Sequence, residues 1–133
     1  MIINSLEKIA DTERDVDWGN GKSRRLLIQK DNMGYSLTDT VIDAGSASLL
    51  EYKNHLEACY CIEGEGEVVD EATGEVHKIT PGTMYALDKH DKHWLKADKT
   101  MRLVCVFNPP LVGAETHDAD GSYPLLQGSE AAK

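Results

Sequence analysis

An all-β fold, an antiparallel sandwich or small barrel, is predicted by three features of the chain. Short segments rich in β-branched and aromatic residues recur about every ten residues between turn signals. No window of helical periodicity is long enough for a crossover helix, which argues against a parallel α/β sheet. The 133 residues suffice for one domain with its own core and no disulfide staples. Closing such a sheet on itself would also remove its exposed edges.

The elements follow in order. The N-terminal stretch reads as a short helical or irregular segment, with Leu6 and Ile9 three apart and Asn4 or Ser5 able to cap. Strands are expected at Arg25–Gln29, Tyr35–Ile42, Ser48–Tyr52, Ala58–Ile62, Glu67–Val69, Glu75–Ile79, Met84–Leu87, Trp94–Lys96 and Arg102–Phe107. The punctuation between them is Asp31-Asn32, Ala44-Gly45, Gly64-Glu65-Gly66, Thr73-Gly74, Pro81-Gly82, Lys89–Lys92 and Pro109-Pro110. Glu67–Ile79 reads as a hairpin turning at Ala72–Gly74. Small and polar residues mark about 125–133 as a flexible tail, and residues 1–133 read as a single domain.

Charge and composition narrow the function. Fourteen basic against 23 acidic side chains give a formal charge of −9. That balance argues against a nucleic-acid partner, which needs a basic patch. No apolar run of about 18 residues is present, so no membrane span is expected. Met1–Ile9 does not read as a signal peptide. Cys59 and Cys61 are one residue apart and Cys105 is distant, with no CxxC spacing. They read as reduced thiols packed as small hydrophobes in a cytoplasmic protein, too few for a thiolate metal site.

Two stretches carry a motif. Gly45, five residues, Glu51, one residue, Lys53, three residues, Glu57, six residues, Gly64 resembles the first motif of the cupin family. Glu51 and Lys53 stand where that motif has two histidines, and Glu57 keeps its ligating acid. Gly82, five residues, Asp88, one residue, His90, two residues, His93 has the spacing of the second motif, and His93 falls on its metal-binding histidine. Asp88 and His90 replace its Pro and Gly, so His90 reads as a turn residue. The strings EYKNHLEACYCIEGEGEV, ITPGTMYALDKHDKHWLKA, MRLVCVFNPPLVG and ETHDADGSYPL resemble the ectoine synthase family, a cupin subfamily, from about Leu6 to Leu125.

That resemblance implies a small cupin-type, jelly-roll antiparallel β-barrel with a C-terminal lid. It implies a dimeric hydro-lyase that closes N-γ-acetyl-L-2,4-diaminobutyrate into ectoine with loss of water, using Fe(II) or another divalent metal. The implied metal ligands are Glu57, Tyr85 and His93. Their hard oxygens and borderline nitrogen suit Fe(II) better than a thiolate-seeking ion. The implied substrate contacts are Arg25, Thr40, Tyr52, Phe107, Glu115 and His117, with Tyr52, Glu115 and His117 in acid–base roles. A guanidinium fork at Arg25 matches the substrate carboxylate. Gly21 stands where the family often has Trp, and Trp18 lies three residues earlier.

Strand parity adds a constraint. Glu57, Cys59 and Cys61 share one face, while Tyr52 lies opposite Glu51 and Lys53. Tyr52 and Glu57 can both point inward only if a bend at Asn54-His55 breaks the alternation. His55 reads as a partner orienting a ligand or as a substrate contact, His77 as exposed, and Cys105 as buried beside Phe107. The segment beyond about Val112 is expected to be mobile until substrate orders it. Two alternatives remain: a non-catalytic cupin that binds or senses a ligand, and a cyclase or hydrolase for a related amino-acid derivative.

Overall fold

The computed structural model describes residues 1–113 and 115–125. A short helix, α1 (Leu6–Ile9), precedes β1 (Asp15–Asp17), β2 (Gly21–Leu27), β3 (Ser36–Ile42), β4 (Ala47–Leu50), β5 (Leu56–Asp70), β6 (Val76–Ile79), β7 (Met84–Leu87) and β8 (His93–Asn108). Ser5 caps the helix, its Oγ accepting the Lys8 N–H at 3.1 Å. Ile9 is the side chain this helix buries.

Two long strands organise everything else. The second half of β8 lies between β3 and the first half of β5, with Thr38 and Cys59 both opposite Cys105. The first half of β8 lies between β4 and the second half of β5, with Ser48 and Val68 both opposite Leu95. β7 extends the first group through Tyr85 opposite Cys59, and β6 the second through His77 opposite Val68. β1 and β2 add a hairpin on the free side of β3. Every pairing is antiparallel. The single sheet therefore rolls over itself into the expected jelly-roll barrel.

The roll depends on two glycines that look like turn signals in the sequence. A Cβ on Gly64 would sit 2.1 Å from the Thr100 carbonyl oxygen, and one on Gly66 would sit 2.0 Å from that of Lys96. They let β5 and β8 approach closely where the register shifts between Cys61 and Gly66. The expected strands Ala58–Ile62 and Glu67–Val69 are thus one strand, as are Trp94–Lys96 and Arg102–Phe107. Two further boundaries differ. β2 starts at Gly21, not Arg25, and Gln29–Asp31 forms a 3-10 turn. β1 gave no sequence signal, being three residues with two aspartates, which are poor strand formers.

Alternation fills the interior. Cys59, Cys61, Met101, Leu103, Cys105 and Phe107 are each at most 2 % exposed. All three cysteines are free thiols. The break near Asn54 is present: Tyr52, His55 and Glu57 are buried while Lys53 and Asn54 face solvent. His90 holds this bend from a left-handed turn position (φ +56°), its Nδ1–H donating to the carbonyls of Tyr52 at 2.7 Å and His55 at 3.1 Å. Among the described residues no helix is long and apolar enough to cross a membrane. Most of the expected flexible tail, 126–133, lies outside the described residues.

Candidate active site

One end of the barrel encloses a cavity of about 20 Å³, room for roughly one water. Glu57 and Cys59 from β5, Tyr85 from β7, Cys105 and Phe107 from β8, and Thr40 from β3 line it. Tyr52, just past β4, and His117 and Tyr123, from the C-terminal segment, complete it. Six of the nine predicted site residues thus meet around one space: Thr40, Tyr52, Glu57, Tyr85, Phe107 and His117. Arg25, His93 and Glu115 are buried but do not line it.

Glu57 is buried, and among the described residues no cationic side chain pairs with it. Burial pushes its carboxyl up to about 8, partly offset by hydrogen bonds from the Cys59 and Cys105 thiols. Burial likewise holds the Tyr85 phenol well above its usual range. His93 is 1 % exposed. Its Nδ1–H donates to the Asp91 carbonyl at 2.8 Å, which leaves Nε2 as the ring nitrogen with a free lone pair. Nε2 is buried with no hydrogen-bond partner among the described residues. The His93 ring centroid lies 6.4 Å from those of both Tyr85 and Tyr52. An uncompensated buried carboxylate, a buried phenol and an orphaned imidazole nitrogen fit a divalent metal, whose charge would stabilise both anionic forms.

The C-terminal segment is docked over the cavity rather than splayed from it. Arg25 is fully buried. Its Nη2 donates to the Glu115 carbonyl at 2.6 Å, its Nη1 to the Gly113 carbonyl at 3.2 Å, and its Nε to Ser23 Oγ at 3.2 Å. The Glu115 carboxylate accepts the N–H groups of Val112 at 2.6 Å and Gly113 at 2.8 Å and lies 3.8 Å from Arg25 Nη1. In this closed form Arg25 and Glu115 therefore hold the segment to the barrel. The bend in β4–β5 holds its far end: Asn54 Nδ2 donates to the Tyr123 carbonyl at 2.9 Å, and Lys53 N–H to Ser122 Oγ at 3.0 Å.

His117 shares a 2.8 Å hydrogen bond between its Nε2 and the Tyr52 hydroxyl. Its ring stacks on Tyr123 at 4.4 Å between centroids. Burial and the nearby Arg25 charge bring its pKa down to about 4, and burial raises that of Tyr52, so both are neutral at pH 7. Trp18 packs edge-on against His117 at 5.5 Å and lines the cavity. Gly21 has no room for a side chain: a Cβ there would meet the Val41 carbonyl oxygen at 1.8 Å. Trp18 sits across the β1–β2 turn from it, its backbone N–H donating to the Gly21 carbonyl at 3.1 Å.

Comparison with known proteins decides the family. The ectoine synthase family model matches residues 1–127. The chain is 59 % identical over 126 residues to the L-ectoine synthase of Oceanobacillus iheyensis, covering 95 % of this chain and 98 % of that one. The chain belongs to the ectoine synthase family. A crystal structure of ectoine synthase from P. lautus superposes with a TM-score of 0.85 at 60 % identity, covering 95 % of this chain and 91 % of that one. A cupin 2 conserved barrel domain protein from Salinispora arenicola matches at a TM-score of 0.62 and 19 % identity, covering 80 % and 87 %, which supports the cupin fold alone.

Within this ectoine synthase family barrel, sequence reasoning missed Tyr123, which stacks on His117 and lies 5.4 Å beneath the Arg25 guanidinium. It is the one aromatic in ETHDADGSYPL, and that was the available signal. It also treated Cys59 as mere packing, although its thiol lines the cavity. His55 is 1 % exposed, packed edge-on against Phe107 and Tyr123, and its Nδ1 has no hydrogen-bond partner among the described residues. His77 is exposed, as its hairpin position implied.

Proposed function

We propose that this chain is an ectoine synthase that closes N-γ-acetyl-L-2,4-diaminobutyrate into L-ectoine with loss of water. The observation that carries this reading is the convergence of Glu57, Tyr85, Thr40, Tyr52 and His117 on one cavity in a chain that matches the family over residues 1–127. The reaction joins the α-amino nitrogen to the acetamide carbon, and the acetamide oxygen leaves as water. Glu57, Tyr85 and His93 would hold Fe(II), which when bound supplies Lewis-acid polarisation of a poorly electrophilic amide.

The side chains then have distinct tasks. Thr40 and Phe107 shape the wall against which the flexible substrate folds, bringing its amine near its carbonyl. The Tyr52 hydroxyl and His117 Nε2, already hydrogen-bonded, carry protons between the amine, which must lose them, and the oxygen, which must gain them. A cavity with room for one water must widen to hold the substrate, so the segment 115–125 lifts and reseats over it in each turnover. Lifting frees the Arg25 fork for the substrate carboxylate. Reclosure, clamped by Glu115, keeps bulk water from a dehydration.

A homodimer is the companion reading. Leu37, Val106, Ala58 and Ala86 form one row across the outer face of β3, β8, β5 and β7, and Val104, Tyr60 and Met84 extend the next. Tyr60, Met84 and Met1–Ile3 are exposed. Three free buried thiols support a cytoplasmic location. The decisive experiment is anaerobic turnover with Fe(II), following ectoine by chromatography. Ectoine formed with metal and lost on chelation supports the reading; no ectoine from a folded, iron-loaded protein overturns it.

A further inference from the structure

We propose that the cavity carries a second, thiol-based metal site, in which Cys59 Sγ, Cys105 Sγ and a Glu57 carboxylate oxygen bind one thiophilic divalent cation of the Zn²⁺ or Cd²⁺ type, to the exclusion of a metal on the Glu57–Tyr85–His93 set. Cys59 and Cys105 are directly opposite in the β5–β8 register. Their sulfurs are 3.4 Å apart. One ligand atom from each of Glu57, Cys59 and Cys105 lies within 4.8 Å of the others, and all three residues are buried. Two sulfurs at about 2.3 Å from a tetrahedral ion are about 3.8 Å apart. The observed separation therefore needs to open by only about 0.4 Å, within the play of two side-chain torsions.

The chemistry separates the two donor sets. Thiolates prefer soft or borderline d10 ions, whereas a carboxylate, a phenolate and one imidazole prefer harder ones. On binding, the two thiols and the Glu57 carboxyl give up their protons to solvent, and two metal–sulfur bonds and one metal–oxygen bond form, with no electron transferred. Glu57 belongs to both sets, so one ion displaces the other. Cys61 supplies an internal control: it is equally buried and free, but its Sγ–H points to the Glu63 carbonyl at 3.3 Å and it stands outside the triad. The sequence could not reveal this site, because Cys105 joins Cys59 only across the sheet. The exclusion rests on the metal reading proposed above; the triad does not.

The test is titration of the full-length, metal-free protein with Cd²⁺, read by the ultraviolet sulfur-to-metal charge-transfer band. One cadmium binds per chain with that band. Cys59→Ser and Cys105→Ser each lose about half of it and weaken binding by more than the roughly tenfold that removing a supporting partner costs. Cys61→Ser keeps it in full. Cadmium NMR of the unmutated chain gives a mixed sulfur–oxygen shift, which guards against variants that fail to fold. Absence of the band, an all-oxygen shift, or a band that survives both variants overturns the triad. Pre-loaded Cd²⁺ lowers Fe(II) uptake one for one; simultaneous binding of both overturns the exclusion. Failure to bind Fe(II) with or without Cd²⁺ overturns the metal reading and leaves the triad standing.

Discussion

Lowering the pH from 7 to 5 will destabilise the fold through His117. Burial and the Arg25 charge hold this imidazole neutral, with a pKa near 4 against an ordinary 6.5. Asp118 opposes the shift, while Tyr52 and Tyr123 face the ring as neutral groups. The folded pKa is depressed, so between these values the unfolded chain binds the extra proton. Stability is therefore complete above pH 6.5 and falls as pH drops towards 4. The slope inside that window is about 1.4 kcal/mol per pH unit. From pH 7 to pH 5 the loss from this one group is about 2 kcal/mol, because only the lower part of the interval has full slope. Urea denaturation of the native chain and of His117→Gln at both pH values isolates it. The native chain will lose about 2 kcal/mol more than the variant, which has no proton to take up. Equal losses would refute the claim that a neutral, half-buried His117 joins the C-terminal segment to Tyr52.

Three further outcomes test other parts of the account. Gly66→Ala places a methyl 2.0 Å from the Lys96 carbonyl oxygen, and overpacking at the crossing of β5 and β8 will cost about 1–3 kcal/mol or more in thermal denaturation; an unchanged Tm contradicts the close-approach role. Asn54→Ala removes the hydrogen bond to the Tyr123 carbonyl, so hydrogen exchange across 115–125 will quicken while that of β5 and β8 stays slow; uniform exchange contradicts a docked lid. Asp39 lies between Arg24 and Arg102 on the outer face, and despite burial their hydrogen bonds hold its carboxyl below the usual range. Asp39→Asn will cost on the order of 1 kcal/mol, less in high salt, and chemical denaturation at two salt concentrations measures it.

The residues explain how far the sequence could be read. Strand parity correctly required a break between Tyr52 and Glu57, because both must face inward from one continuous stretch. The two motif spacings picked out Glu57 and His93. Tyr85 looks like any strand aromatic, and only the family resemblance marked it. Gly64 and Gly66 misled because a glycine for a tight turn and a glycine for close strand approach have the same letter; only the partner carbonyls of Thr100 and Lys96 separate them. Arg25 and Glu115 were identified as site residues, yet their contact with each other was not legible. It spans 90 residues and depends on where the C-terminal segment docks. The same holds for Trp18, whose place at the cavity follows from a hairpin strand too short and acidic to register.

The measurement that bears most directly on the central claim is metal-dependent ectoine formation by the native chain beside Glu57→Ala. Both are reconstituted anaerobically with Fe(II), checked for fold, and supplied with N-γ-acetyl-L-2,4-diaminobutyrate. Ectoine is expected from the native chain alone, with iron retained by the native chain and lost by the variant. Equal ectoine from both would contradict a site built on Glu57.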